Sequence, residues 1–249
     1  MAGPVESLTP TDSAEFLRQA RARCSWRLFR RTAALVGAGL GLIALSTLVD
    51  EPVGAWFRGA APHGTIFRRV LKMPAHLFEW RSYLILGAFL AAHPDRRRLL
   101  AGLLIPVLSC TGLLHLLKLF IGRARPDVGY GPYCFVPLGD QAIGFDGFPS
   151  GHTMMAVLLV ALLFLYFRRM AWVLLPFAIL AAFGRIAVER HHLSDLLGGT
   201  GLALLGVHLS VAILGRATYP RVDVSACLAG LRSLMRKPVT PVVEPAAPD

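Results

Sequence analysis

The side chains that could do chemistry in this 249-residue chain lie in three short segments that are far apart in sequence. They combine three cations, two histidines, a carboxylate and a Ser-Gly turn: Lys118, Arg125, Ser150, Gly151, His152, Arg185, His191 and Asp195. Fixed cations compensate the negative charge that spreads over a phosphoryl group during its transfer. Arginine does so with a planar, often bidentate fork. These residue types therefore favour phosphoryl chemistry.

Residues 149–152 have the sequence Pro-Ser-Gly-His and precede an apolar run, which predicts the start of a helix. A helix N-terminus offers free backbone N–H groups and a positive dipole end, and both favour a bound anion. Ser150 adds a hydroxyl donor, and His152 can act as an acid and as a base. A plain helix cap at Ser150 and Gly151 is the simpler alternative. The adjacent histidine favours the functional interpretation.

His191 and Asp195 are four residues apart, which places both on one face of a helix, one turn apart. A carboxylate that accepts a hydrogen bond from one imidazole nitrogen fixes the tautomer and leaves the other nitrogen free as a nucleophile. The adjacent His192 is interpreted as a packing or interfacial residue. A metal site at these three residues is an alternative, but adjacent helical side chains point about 100° apart. No metal is therefore expected.

The elements that must position these side chains are strongly apolar. Hydrophobic residues make up 55% of the chain and charged residues 16%, and the mean hydropathy is +0.56. Soluble domains contain about 25% charged residues. Six apolar runs predict an all-α bundle of six transmembrane helices. These runs cover residues 32–49, 82–94, 99–117, 152–167, 170–184 and 196–215, the second being the shortest.

The distribution of basic residues predicts that both termini are cytoplasmic. The net charge is +11, and most of the 26 Lys and Arg residues then lie on the cytoplasmic side. With alternating spans, all eight candidate side chains fall at the opposite face. Arg123 and Arg190 are interpreted as residues that snorkel to the interface. Residues 50–80 alternate arginines with apolar residues, which predicts a short interfacial helix between the first two spans.

Three regions follow from this organisation. Residues 1–31 form a basic cytoplasmic segment with a helix start at 9–12, residues 32–215 the membrane domain, and residues 216–249 a cytoplasmic tail. The Pro-rich end of that tail is expected to be disordered. Four widely spaced cysteines without a CxxC pair argue against a disulfide scaffold or a zinc site. Nucleic-acid binding is disfavoured because the basic residues are divided between both membrane faces.

Three segments resemble, in order and spacing, the motifs of the type 2 phosphatidic acid phosphatase superfamily. The first is Lys118, six residues, then Arg125-Pro126; the second is the Pro-Ser-Gly-His of 149–152; the third runs from Arg185 to Asp195. One departure is Gly184, which stands where the family usually has serine, so that one hydroxyl donor toward the phosphate is lost. Soluble vanadium haloperoxidases share the pattern, but six spans argue against that branch.

The resemblance implies a metal-independent and cofactor-free phosphatase that forms a phosphohistidine. In it, His191 attacks phosphorus, Asp195 orients this histidine, and His152 protonates the leaving oxygen and later activates water. The choice of His191 over His192 rests on the resemblance. The residues that it implies as holding the phosphoryl oxygens are Lys118, Arg125, Ser150, Gly151 and Arg185.

The sequence therefore predicts an integral-membrane lipid phosphatase of the inner (plasma) membrane with its active site at the periplasmic face. Its substrate would be a lipid phosphate monoester or pyrophosphate: phosphatidic acid, phosphatidylglycerol phosphate, undecaprenyl pyrophosphate or lipid A. Anionic lipid at the cytoplasmic face is the other expected partner. Two alternatives remain open: a lipid-linked phosphotransferase with the same intermediate, and a non-catalytic protein that binds or transports anionic lipid. No sequence pattern specifies the headgroup or the oligomeric state.

Overall fold

The structure is a computed structural model that describes residues 10–60, 62 and 65–236. Within these residues the chain is helical and has no strand, apart from an isolated β-bridge between Arg123 and Phe135. The α-helices are α1 (Pro10–Thr47), α2 (Asp50–Ala60), α3 (Ile66–Lys72), α4 (Trp80–Ala91), α5 (Arg96–Ile121), α6 (Gly151–Tyr166), α7 (Arg168–Ala187), α8 (Leu193–Leu214) and α9 (Val224–Arg236). The predicted all-α class is confirmed.

Each of the six predicted spans coincides with a helix, but the helices differ in length. Four segments in the described part of the chain are long and apolar enough to cross a membrane: Leu28–Thr47, Arg96–Ile121, Arg168–Ala187 and Leu193–Leu214. Helix α6 has 16 residues and α4 has 12, whereas a perpendicular helix needs about 20 residues to cross the hydrocarbon core. Four spans are thus supported by length, and the count of six stays a prediction.

Helix α6 forms the centre of the bundle and packs between α7 and α8. Its Leu158 and Leu162 are fully buried in the main hydrophobic core. Helix α1 lies on the outside against α8, where Thr32 Oγ1 and His208 Nε2 are 3.0 Å apart. Large apolar side chains remain exposed on the outer helices, as expected for surfaces that face lipid.

The segment between the first two predicted spans contains α2, α3 and a 3₁₀ helix, Met73–Phe78. Helix α3 begins after Thr65, whose side chain accepts a hydrogen bond from the backbone N–H of Arg68. It packs on α7 at Gly184. The two backbones are so close there that a β-carbon at residue 184 would collide with the backbone carbonyl of Leu71. In its described residues the segment thus contains three helices where one short helix was predicted, and its location at the membrane interface stays a prediction.

The two ends of the chain are described only in part. Helix α1 is described from Pro10 and runs without interruption through the predicted boundary at residue 31. At the other end, α9 is an amphipathic helix that packs on α4. The Pro-rich stretch predicted to be disordered, 237–249, lies outside the described residues.

Candidate active site

The predicted site residues meet at one end of the bundle. Alternate helices run in opposite directions, so the C-terminal ends of α5 and α7 and the N-terminal ends of α6 and α8 lie together there. Lys118 is in the last turn of α5 and Arg185 in the last turn of α7. Ser150 caps α6, and Asp195 is in the first turn of α8. The three sequence segments are thereby brought to a single site.

A cavity of about 540 Å³ opens at this end of the bundle. Nine side chains line it: Thr65, Arg68, Arg69, Lys72, Arg125, His152, Arg185, Val188 and Arg190. Six of the nine are Lys or Arg. A concave surface lined by one sign of charge concentrates ions of the opposite sign, so this cavity is suited to an anionic ligand. Lys118, Ser150, His191 and Asp195 are buried and are not among the residues that line this cavity.

His191 is 2% exposed and is held by the backbone of the loop before α6. Its Nδ1 lies 2.8 Å from the carbonyl oxygen of Gly147 and 3.7 Å from Oδ2 of Asp195. A carbonyl can only accept, so Nδ1 donates its proton and Nε2 keeps its lone pair. The sequence predicted Asp195 as the direct acceptor, whereas the acceptor at hydrogen-bond distance is Gly147, because Asp195 is engaged by other donors.

The surroundings of His191 disfavour its protonated form. Burial has the largest effect, followed by the positive charges of Arg185, Lys118 and Arg125, and together they hold the pKa of His191 well below its ordinary value. The imidazole is therefore neutral at physiological pH. A neutral imidazole with one nitrogen bound to a carbonyl and the other carrying a lone pair can act as a nucleophile.

Asp195 is fully buried and links α8 to its neighbours. Its Oδ1 accepts a hydrogen bond from Nη1 of Arg123 at 2.6 Å, and its Oδ2 accepts one from the backbone N–H of His192 at 2.7 Å. Its backbone carbonyl accepts from the N–H of Ser150 at 2.9 Å. These bonds fix the N-terminus of α8 against that of α6. In the structure, Asp195 thus positions the elements that carry both histidines.

The prediction that Arg123 snorkels to the interface is wrong. The residue is 1% exposed, and its Nη2 forms an ion pair with Asp50 at 2.7 Å while Nη1 pairs with Asp195. The carbonyl of Pro132 accepts from Nε and Nη2, and the hydroxyl of Ser194 also contacts the guanidinium. A buried arginine requires such partners. The available sequence signal was Asp50, a carboxylate at the end of an apolar run with no cation assigned to it.

Asp146 is a site residue that sequence reasoning missed. Its Oδ2 accepts from Nη2 of Arg125 at 2.6 Å and from Nζ of Lys118 at 3.1 Å, and its backbone carbonyl also accepts from Lys118. Burial raises the pKa of this carboxyl, but the two cations outweigh that effect and hold the pKa below its ordinary value. One carboxylate therefore joins two of the three predicted phosphate-binding cations.

Two guanidinium groups of the site have unused donors. Among the described residues, Nε of Arg125 and Nε of Arg185 are buried and have no hydrogen-bond partner. Buried polar atoms in folded proteins are almost always paired. Both side chains line the cavity, so an anion bound there is a suitable acceptor for both N–H groups.

Ser150 and Gly151 form the helix start that the sequence predicted. The hydroxyl oxygen of Ser150 accepts from the backbone N–H of Thr153 at 3.5 Å and from its hydroxyl at 3.0 Å. Ser150 is therefore a helix cap, as the simpler alternative expected. The cap and the anion site are compatible, since capping leaves other N–H groups of the first turn unpaired.

His192 is buried at the N-cap of α8, where its side chain accepts from the backbone of Asp195. This contact fits the interpretation of His192 as a packing residue. In the described part of the chain, no three His, Cys, Asp or Glu side chains are grouped so that they could hold a metal ion.

The pH dependence of stability tests the interaction of Asp146 with Lys118 and Arg125. A carboxyl with a lowered folded-state pKa stabilises the protein above its unfolded-state pKa, about 3.9 for Asp. That contribution is lost as the pH falls through the still lower folded-state pKa. We expect wild-type protein in detergent to lose thermal stability more steeply below about pH 4 than Asp146→Asn. If the thermal stability of the two proteins fell equally as the pH was lowered, the ion pair would be contradicted.

Comparison with known proteins assigns this arrangement to a family. The PAP2 superfamily model matches residues 98–219, which contain all eight predicted site residues. Over 92 residues the chain is 39% identical to a lipid A 1-phosphatase of Rhizobium etli and 38% identical to that of Rhizobium johnstonii. Each alignment covers 36% of this chain, and 39% and 37% of the respective relatives. The chain thus spans well under half of the length of these curated relatives.

A solved structure supports the same fold. The crystal structure of a transmembrane PAP2 type phosphatidylglycerolphosphate phosphatase from Bacillus subtilis matches with a TM-score of 0.53 and 23% sequence identity. The match covers 73% of this chain and 94% of that one. The apolar helices and this membrane fold identify the chain as an integral membrane protein. The match of the family model over the helices that build the site shows the likeness of this chain to the PAP2 superfamily, and the solved structure shows that the fold is shared.

Proposed function

We propose that this protein is a lipid phosphatase that hydrolyses a lipid phosphate monoester or pyrophosphate through a phosphohistidine, without a metal. The observation that carries the proposal is the environment of His191: a neutral imidazole with a free Nε2, surrounded by Lys118, Arg125 and Arg185. The names of the curated relatives, lipid A 1-phosphatases, support a lipid phosphate as the substrate class.

In the first step, the Nε2 lone pair of His191 attacks phosphorus, and the bond between phosphorus and the leaving oxygen breaks. His152, in the first turn of α6 and in the cavity wall, donates a proton to that oxygen. The unused N–H groups of Arg125 and Arg185 bind the phosphoryl oxygens. Stabilising the charge that develops in the transition state contributes most of such a rate enhancement.

In the second step, water replaces the lipid. His152, now neutral, accepts a proton from water, the water oxygen attacks phosphorus, and the P–N bond breaks. His191 regains its lone pair, and inorganic phosphate leaves the cavity. His152 thus serves as an acid and then as a base, as microscopic reversibility requires of a single group.

The surface beside the cavity is suited to a substrate held in the bilayer. Helix α3 places Arg68, Arg69 and Lys72 in the cavity wall, while Ile66 and Phe67 of the same helix are exposed apolar side chains. A lipid can keep its chains against such residues while its phosphate enters the cavity. Anionic lipid is proposed to contact the basic cytoplasmic face.

We propose the six-span topology with both termini in the cytoplasm and the site at the periplasmic face of the inner membrane. It is supported by the basic residues at the start of α5 and α7, the ends opposite the site. Positive residues concentrate on the cytoplasmic side of membrane proteins. The short helices α4 and α6 are proposed as the remaining two spans.

Phosphate release by purified protein in detergent containing EDTA tests the function. The substrates are phosphatidic acid, phosphatidylglycerol phosphate, undecaprenyl pyrophosphate and lipid A. Wild-type protein is expected to release phosphate, and Arg185→Ala to lower kcat/KM by about 10²- to 10³-fold, the usual cost of removing one donor to the transition state. Arg168→Ala, at the opposite end of α7, is the matched control and is expected to retain wild-type activity.

Other outcomes point to other functions. Binding of the lipids without turnover would favour the binding or transport alternative. A phosphoryl group that appears on an added lipid or sugar instead of in free phosphate would favour the phosphotransferase. Wild-type kcat/KM in Arg185→Ala would contradict the proposed phosphate site.

A further inference from the structure

The cavity contains more positive charge than one phosphoryl group requires. Besides the motif residues Arg125 and Arg185, four further cations line it: Arg68, Arg69, Lys72 and Arg190. Three of these four lie on α3, outside the motifs that defined the site. A cavity of about 540 Å³ also lies within the size range of sites for whole small ligands.

Not all of these cations are available to a ligand. Arg68 forms an ion pair with Glu189 at 3.1 Å, and Arg190 forms one with Asp127 at 2.9 Å. Within residues 65–236, no carboxylate forms an ion pair with Arg69 or Lys72. These two side chains are exposed to solvent.

The positive charges in and around the cavity form two groups, the three motif cations and the two cations of α3 without an ion pair among the described residues. Lys118, Arg125 and Arg185 carry three positive charges, of which Asp146 compensates one. The remaining two match a phosphate monoester, which carries about −1.5 to −2 charges at neutral pH. Arg69 and Lys72 then supply two further positive charges, which match a second phosphoryl group of the same kind.

The departure at Gly184 permits the helix that carries these two cations to pack on α7 beside the site. A β-carbon at residue 184 would collide with the carbonyl of Leu71 in α3, so the glycine permits the backbone of α3 to lie directly on α7. This contact is one residue before Arg185 in the chain. The glycine therefore removes one hydroxyl donor from the site and brings a helix with three basic side chains beside it.

We propose that Arg69 and Lys72 form a second anion subsite of this cavity, which binds a second phosphoryl group of the substrate. The protein then prefers lipids that carry two phosphate groups over lipids that carry one. The second group is either attached to the first, as in a diphosphate, or located on a separate carbon, as in a bisphosphorylated glycolipid. The inference rests on the proposed phosphatase function and extends it to substrate selection.

The test compares three substrates and two charge-removal variants in detergent micelles. The substrates are a diacyl lipid with one phosphate monoester, a long-chain alkyl diphosphate, and a disaccharide lipid with phosphates on separate sugars. The variant Arg69→Gln/Lys72→Gln removes the subsite. The variant Arg168→Gln/Arg169→Gln, at the far end of α7 and also exposed, removes the same number of charges elsewhere and is the matched control.

We expect the subsite variant to raise KM for at least one two-phosphate substrate about tenfold relative to KM for the monophosphate lipid, a factor that corresponds to about 1.4 kcal/mol. Its kcat for that substrate should change little, because the chemical step is elsewhere. The control variant should leave the ratio of KM values as in the wild type. The substrate whose KM rises in this variant, the diphosphate or the disaccharide lipid, shows which arrangement of two phosphates the subsite binds.

Two results would overturn the subsite. One is an equal rise of KM for all three substrates, since it would indicate general attraction of anions by α3. The other is unchanged KM values in the variant. Failure of the underlying phosphatase function is distinguishable from both, because the wild-type protein would then release no phosphate even from the monophosphate lipid.

Discussion

Replacing His191 with alanine is expected to lower kcat by about 10⁴-fold or more, the scale of loss on removing a catalytic nucleophile. In the proposed mechanism, this variant lacks the lone pair that attacks phosphorus. The imidazole that is removed is neutral and fixed by the carbonyl of Gly147 at 2.8 Å. Phosphate release from the best lipid substrate, measured with a colorimetric or radiometric assay, gives the comparison.

The adjacent His192 provides the matched control. It is also a buried histidine, located at the N-cap of α8, and the proposed mechanism gives its side chain no role. His192→Ala is expected to keep most of the activity and to lose about 1 kcal/mol of stability, the usual effect of removing a helix cap. If His192→Ala were inactive and His191→Ala active, the assignment of the nucleophile would be wrong.

A covalent intermediate gives a second readout of the same prediction. Lipid labelled with ³²P should transfer label to wild-type protein, in a bond that is labile in acid and stable in base, as expected of a phosphoramidate. His191→Ala should take up no label. Labelled His191→Ala protein would contradict the mechanism even if its turnover were slow.

The general position of the site could be predicted from sequence because it depends on chain direction alone. Alternating helices bring the C-terminal ends of α5 and α7 to the N-terminal ends of α6 and α8, and apolar runs are sufficient to locate those helices. The spacing of the motifs was not needed to expect Lys118, His152 and Asp195 at one end of the bundle. The structure places them there.

Several contacts within the site involve groups whose role cannot be predicted from residue type or spacing. The acceptor for His191 is the backbone carbonyl of Gly147, which any residue would supply equally well. Asp146 lies in a polar loop and has no distinguishing neighbours. Gly184 was interpreted only as a lost hydroxyl donor, since nothing in the sequence indicates that α3 packs on it. Close approach of two backbones is a property of the tertiary fold.

Arg123 shows the same limit most clearly, because its two acidic partners are distant in sequence. Asp50 is 73 residues before it and Asp195 is 72 residues after it. An arginine between Gly122 and Ala124 at the end of an apolar helix is, by local criteria, an interfacial residue. Only the folded arrangement of α2, α5 and α8 makes it the centre of a buried network.

Replacing Arg123 with alanine is therefore expected to lower the free energy of unfolding by about 3–5 kcal/mol, the cost of breaking a buried ion pair by removing one partner. The variant would leave the carboxylates of Asp50 and Asp195 buried without their cation. Arg190→Ala is the control: its ion pair with Asp127 is exposed, with side-chain exposures of 47% and 36%, and such pairs contribute about 0–1 kcal/mol. Thermal unfolding in detergent measures both.

The activity of the surviving folded fraction distinguishes a positioning role from a purely stabilising one. Arg123 binds Oδ1 of Asp195, and the backbone carbonyl of Asp195 binds the N–H of Ser150 at the start of α6. Loss of Arg123 should therefore displace His152 relative to His191 and lower kcat more than it raises KM. Arg123→Lys, which restores one charge but not the fork that joins both carboxylates, should recover stability only in part. If folded Arg123→Ala and wild-type protein had equal kcat, Arg123 would contribute to stability only. The two histidines would then be aligned by their contacts with Gly147 and Ser150.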